Sequence, residues 1–190
     1  MSLLERLEAD MRSRRPGWWE RLGEVIPELQ ALACTPQPPE FHAEGDVAIH
    51  TRLAIETCPA DCDPDLLWVA LLHDIGKPAT TQQHDDGRIT AHGHAKRGAD
   101  LAEVILARLA MPDERRRRII WAIRHHIFHH SWQLTSPEEL TNKQRAYLTS
   151  PDFPLLLEFL RVDSIASHGQ TDVSQAYEFY RQIRQALTTP

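Results

Sequence analysis

Seven successive apolar residues, Leu66 to Leu72, run without a break into His73-Asp74-Ile75-Gly76-Lys77. A bilayer span needs about 20 apolar residues, so this stretch reads as a buried helix. Asp63-Pro64 suits its start, since proline fits a first helical turn. A helix over 65–74 is apolar nearly all round, and such a helix has to be enclosed by other elements. The chain closes it on an imidazole and a carboxylate, with Gly76 placed as a C-cap. A fold for this chain therefore wraps helices around 65–74 and accommodates two ionisable groups at its end.

The remaining sequence supplies those helices, because its apolar residues recur at helical spacing. Two short amphipathic helices are expected in the first 33 residues, broken near Arg15-Pro16-Gly17, with Arg12 to Arg15 on the surface. A stiff Pro-rich connection at 35–41 leads into the next helix. Asp46 is placed to cap a helix over 47–58, whose core stripe carries Val47, His50, Ala54 and Thr57. Residues 79–91 contain Asp85-Asp86-Gly87, a turn or small hairpin. Further helices are expected over 94–110, 113–129, 137–148, 152–167 and 173–187. The fold class is all-α, a bundle of seven to nine helices. The 190 residues suit one domain, with 1–40 as a helical extension packed on a core over 46–168.

A formal charge of -6 argues against a globally basic nucleic-acid binder. Cys34, Cys58 and Cys62 are odd in number and lack a C-x-x-C spacing, so free thiols in a reducing cytosol are expected. The first ten residues alternate charged and apolar types and lack the apolar core of a secretory signal. The chain is read as cytoplasmic.

Of eleven histidines, ten lie between His42 and His130. Imidazole is the commonest metal ligand. Asp163 falls on the apolar stripe Leu155, Phe159, Val162 and Ala166, where a carboxylate is costly unless paired or metal-bound. It is read as a metal ligand or as a buried aspartate held by arginine or backbone N–H groups. His50, also on a core stripe, is a ligand or a satisfied core histidine. His73-Asp74, with a histidine 23 residues upstream of His73 and an aspartate 89 residues after Asp74, completes a candidate set. Two nitrogens and two oxygens suit Mn, Fe, Co, Ni, Zn or Mg without choosing among them. Four protein ligands on a six-coordinate ion leave positions for water and a phosphoryl oxygen. Asp74 would orient that water, and Lys77 would meet phosphate.

His94 with His125 or His126 forms a candidate second metal set, the alternative being exposed or hydrogen-bonded histidines. Helical phase does not choose between His125 and His126. His129 and His130 read as a solvated helix end. Lys96 and Arg97 are candidate phosphate contacts. Arg115–Arg118 spans all sides of a helix and reads as a solvated face, with a phosphate or RNA contact as the alternative. The five tryptophans are expected in the core.

His50, His73-Asp74 and Asp163 match the H…HD…D pattern of the HD superfamily of metal-dependent phosphohydrolases. FHAEGDVAIHT at 41–51 resembles the F-H-P-E-G-D-V-x-x-H-T segment of bacterial tRNA nucleotidyltransferases, the CCA-adding enzymes. LLHDIGKPAT at 71–80, DGRITAHGHAKRGADLAEVILARL at 86–109, IRHH at 123–126 and RVDSIAS at 161–167 continue that resemblance in order. It covers about residues 20–170 and concerns only their C-terminal HD domain. The nucleotidyltransferase head has no counterpart, so CCA addition is not implied.

The resemblance implies a helical phosphohydrolase, which in multifunctional members acts as a 2′,3′-cyclic phosphodiesterase, 2′-nucleotidase and phosphatase. It implies His50, His73, Asp74 and Asp163 as ligands. Binuclear relatives add the histidines matching His94 and His125 or His126. Where the family commonly has G-H-E, this chain has Gly93-His94-Ala95 and lacks the carboxylate. The expected substrate is a small phosphate ester or nucleotide, or an RNA 3′ end. Two other readings compete: a catalytically weak HD module that docks RNA or a protein through Arg115–Arg118, and a diiron HD oxygenase.

Overall fold

A computed structural model describes residues 1–132, 136–167 and 174–189. Ten α-helices lie among them: α1 Leu3–Ser13, α2 Trp18–Val25, α3 Val47–Thr57, α4 Pro64–Leu72, α5 His94–Arg108, α6 Asp113–His125, α7 Phe128–Ser131, α8 Asn142–Leu148, α9 Phe153–Ala166 and α10 Ser174–Thr188. Short 3-10 helices cover Pro27–Leu32, Lys77–Ala79 and Pro137–Glu139. A small hairpin pairs β1 (Gln82–Gln83) antiparallel with β2 (Ile89–Thr90). The all-α class holds, and the count exceeds nine because the helix expected over 113–129 is two. It ends at His125, His126 acts as its cap, and α7 restarts at Phe128. The start expected at 173 for the last helix lies outside the described residues.

Helix α4 is the centre of the bundle. Every residue from Asp65 to Leu72 is buried, and α3, α6 and α9 pack around it, with α1 closing another side. Asp63 caps it by accepting the backbone N–H of Asp65 at 2.9 Å, and Pro64 fills the first turn. Asp65 itself is buried and accepts from Arg115 Nε at 2.7 Å and Arg118 Nη1 at 2.9 Å. Arg115 also reaches Glu8, which accepts from Trp68 Nε1 at 2.9 Å. These contacts tie α1, α4 and α6 together.

Arg116 pairs with Glu103 and Asp113, and Arg117 with Asp152. All four guanidinium groups of Arg115–Arg118 therefore face intramolecular carboxylates. Nor is Arg12 to Arg15 simply surface. Arg12 donates to the carbonyls of Ala60 and Cys62, and Arg14 to those of Ile55 and Cys58, so both engage carbonyls at and just beyond the end of α3.

Gly76 is not the C-cap of α4. That helix ends at Leu72, His73 is its cap, and Gly76 keeps a right-handed backbone with φ -84°. What Gly76 supplies is space: a Cβ there would lie 2.3 Å from the His94 carbonyl oxygen and 2.5 Å from the Gly98 nitrogen. The turn after Asp74 can therefore lie directly on the first turns of α5.

The Pro-rich connection is more than a spacer. Thr35 and Gln37 are buried, and the Val47 N–H donates to the Thr35 carbonyl at 3.1 Å. The connection thereby lies over the polar end of α4. Trp18 and Trp68 are core residues, and Trp19, Trp121 and Trp132 pack partly buried against the core. Cys34, Cys58 and Cys62 are free thiols. Among the described residues, no helix is long and apolar enough to cross a membrane.

Candidate metal centre

Five helices deliver polar groups to one end of the bundle. His50 comes from the second turn of α3, His73 and Asp74 from the end of α4, His94 from the first residue of α5, His126 from the cap of α6 and Asp163 from α9. His50, His73, Asp74 and His126 are buried. Nε2 of His50 lies 3.0 Å from Asp163 Oδ1, and Nε2 of His73 lies 3.1 Å from Asp74 Oδ2 and 3.6 Å from Asp163 Oδ1. On the other side of Asp74, Oδ1 stands 3.5 Å from His94 Nε2 and 3.9 Å from His126 Nε2. Asp74 therefore divides two groups of donor atoms, one around each carboxylate oxygen. His50, His73 and Asp74 can share one ion, and Asp74, His94 and His126 another.

The opposite nitrogen of each imidazole sets its orientation. Nδ1 of His73 contacts the Ala70 carbonyl at 3.0 Å, that of His94 the Ala91 carbonyl at 2.7 Å, and that of His126 the Ile123 carbonyl at 2.7 Å. A carbonyl oxygen only accepts, so each Nδ1 carries a proton and each ring turns its Nε2 inward. Nδ1 of His50 contacts Glu44 Oε1 at 2.7 Å instead. Burial, helped by His94 and His73, pushes His126 down to about 3. Burial likewise lowers His94. Burial pushes the other way on His50, but the hydrogen bonds to Asp163 and Glu44 outweigh it and raise it to about 9. Burial drives the carboxyls of Asp74 and Asp163 up. The charges of His73 and Lys77 hold Asp74 well below its usual range, and the His50 contact does the same for Asp163.

These residues suit a divalent ion. Nε2 of His73 and both carboxylate oxygens of Asp74 are buried without a directed hydrogen bond, although Lys77 Nζ stands 2.7 Å from Asp74 Oδ2. Unsatisfied buried donors and acceptors cost about 1–3 kcal/mol each. Two nitrogens at about 2.1 Å from one ion and at right angles to each other sit about 3.0 Å apart, and the Nε2 atoms of His94 and His126 are 3.1 Å apart.

The cluster opens on a cavity of about 450 Å³, lined by Phe41, His42, Lys77, His94, Ile127, His129 and Asp163 among others. Lys77 is buried and also donates to Gln37 Oε1 at 2.6 Å. Arg97 and Lys96 are exposed and outside that lining. The buried side of α5 runs through Ala95, Gly98, Ala99 and Ala102, which turns both cations outward. His125 is also elsewhere: its ring packs on Trp121 and Tyr147, centroids 4.7 and 5.3 Å away. Of His129 and His130, expected at a solvated helix end, His130 is exposed as expected, whereas His129 is partly buried. Both line the cavity, and burial together with His130 pushes His129 down to about 4.

Sequence reading missed Glu44, Gln37 and His42 as site residues. They lie on the Pro-rich connection and the turn after it, where no periodicity reports which side chains face inward. The signal available was the short spacing of His42, Glu44 and His50 in one segment.

Comparison with known proteins agrees with this geometry. Residues 45–162, more than half of the chain, match the HD domain. The chain belongs to the HD domain family. HD domains are a superfamily of metal-dependent phosphohydrolases, and the His and Asp cluster described above suits one. Asp163 lies one residue past the matched span, so its place beside His50 comes from the structure. A multifunctional CCA protein of Aromatoleum aromaticum is 31% identical over 160 residues, which is 81% of this chain and 37% of that protein. One from Alkalilimnicola ehrlichii is 39% identical over 110 residues, 57% of this chain and 26% of the relative. Another, from Teredinibacter turnerae, is 34% identical over 110 residues with the same coverage. This HD chain thus spans between about a quarter and just over a third of the length of these relatives.

Proposed function

We propose that this HD protein hydrolyses a phosphomonoester or phosphodiester of a nucleotide or RNA end, with His50, His73, Asp74 and Asp163 holding a divalent ion. His94 and His126, together with Asp74, would hold a second. One observation carries the reading: six side chains gather Nε2 and carboxylate atoms into one cluster, His94 and Asp163 of it line the cavity, and His73 Nε2 and both Asp74 oxygens have no directed hydrogen bond. The relatives' name, multifunctional CCA protein, favours a substrate of the RNA-end or nucleotide kind, as in 2′,3′-cyclic phosphodiesterase, 2′-nucleotidase or phosphatase chemistry.

When bound, a divalent ion supplies Lewis-acid polarisation of a phosphoryl oxygen and lowers the pKa of water. The Asp74 carboxylate, ionised and buried, accepts a hydrogen bond from the attacking water and aligns it. Lys77 places an ammonium at the cavity wall to offset phosphate charge. Phe41 and Ile127, both exposed at that wall, offer apolar surface to the rest of the substrate. The RNA-docking reading through Arg115–Arg118 loses its support, since those guanidinium groups are held by Glu8, Asp63, Asp65, Glu103, Asp113 and Asp152.

The test is hydrolysis of 2′,3′-cyclic AMP by metal-stripped protein resupplied with Mn, Co, Ni or Mg, alongside Asp74→Ala. Metal-dependent turnover that disappears in the variant is the expected result. Full activity in a folded Asp74→Ala protein would sink the assignment.

A further inference from the structure

We propose that Glu44 is a positioning residue of this centre, orienting His50 and His42 through one carboxylate oxygen. The inference rests on reading the cluster as a metal centre. Glu44 precedes α3, and its side chain is 1% exposed. Its Oε1 lies 2.7 Å from His50 Nδ1 and 2.9 Å from His42 Nδ1. An ionised carboxylate only accepts, so both rings direct an Nδ1–H at it.

The need for Glu44 follows from where each histidine sits. His73, His94 and His126 stand at helix ends, and each finds a backbone carbonyl three residues back. His50 lies inside α3, where carbonyls accept from the N–H groups one turn on. Its acceptor has to come from another part of the chain, and Glu44 supplies it. The same oxygen holds His42, whose ring meets that of His50 edge-on at 4.7 Å and lines the cavity. Carboxylates behind a ligating histidine fix its tautomer and raise its basicity, and their loss typically weakens metal binding about 10- to 100-fold.

The experiment is calorimetric titration of Mn²⁺ into the metal-stripped chain, for wild type, Glu44→Ala and Glu44→Gln. Nitrogen-15 NMR of the zinc-loaded proteins reads the His50 tautomer beside it. Glu44→Ala is expected to bind about 10- to 100-fold more weakly and to lose the single Nδ1–H form of His50. Glu44→Gln keeps an accepting oxygen and is expected to restore most of both. Wild type that binds no divalent ion would overturn the metal-centre reading and this inference with it. Normal wild-type binding with an unchanged Glu44→Ala, or with Glu44→Gln as weak as Glu44→Ala, would overturn the role of Glu44 alone.

Discussion

The Nε2 atoms of His94 and His126 face each other at 3.1 Å, while each ring has its Nδ1 on a backbone carbonyl. Two bare lone pairs at that distance repel unless a cation or a proton lies between them. Burial opposes protonation of both rings, and a metal ion held between them would relieve that repulsion.

The two adjacent histidines should therefore behave oppositely. His126→Ala is expected to lower metal affinity and cyclic-nucleotide turnover by about 100-fold. His125→Ala, which removes a ring packed on Trp121 and Tyr147, should leave turnover near wild type. Metal content and kcat for both variants decide it, and equal losses would contradict the geometry.

Gly76→Ala should damage fold and site together. The new Cβ would meet backbone at 2.3 Å, so α5 must move away from Asp74. A loss of about 3 kcal/mol in urea unfolding is expected, along with weaker Mn²⁺ binding. Gly23→Ala is the control: it lies in α2 with nothing within 4 Å of the added carbon. There alanine should be neutral or stabilising by up to about 1 kcal/mol.

Arg115→Ala removes one of the two arginines that face the buried carboxylate of Asp65. Stability should fall by about 1–3 kcal/mol, and Arg115→Ala/Arg118→Ala should fall further than either single change. Neither should alter kcat in protein that remains folded. A stable variant with impaired substrate binding would restore a ligand-binding role to the arginine run.

Burial, with Cys62 nearby, pushes the Cys58 thiol up to about 12. An unfolded thiol ionises near pH 8.5. Between those values the unfolded chain releases a proton that the folded chain retains, so stability falls as pH rises through that window. Subtracting the pH dependence of Cys58→Ser isolates the effect. In native protein at pH 8, exposed Cys34 should alkylate first and Cys58 only on unfolding.

The local code of this chain was plain in its sequence. Asp46 and Asp63-Pro64 marked helix starts, and the apolar run 66–72 marked the enclosed helix. His50 and Asp163 stood out as polar residues on apolar stripes. These signals depend on neighbours within a turn or two of helix, which a sequence displays directly. What tertiary packing decided was which groups meet. His125 and His126 differ by about 100° in direction, and only the packing of α6 on α4 and α5 turns His126 inward. Glu44 and Gln37 lie outside regular helix, so no periodicity reported their facing. Arg115–Arg118 looked like free charge until α1, α4 and α5 brought carboxylates to it. Gly76 looked like a cap because its neighbours in sequence are a helix end. Its actual constraint is the backbone of His94 and Gly98, a contact set by distance in space that spacing along the chain cannot express.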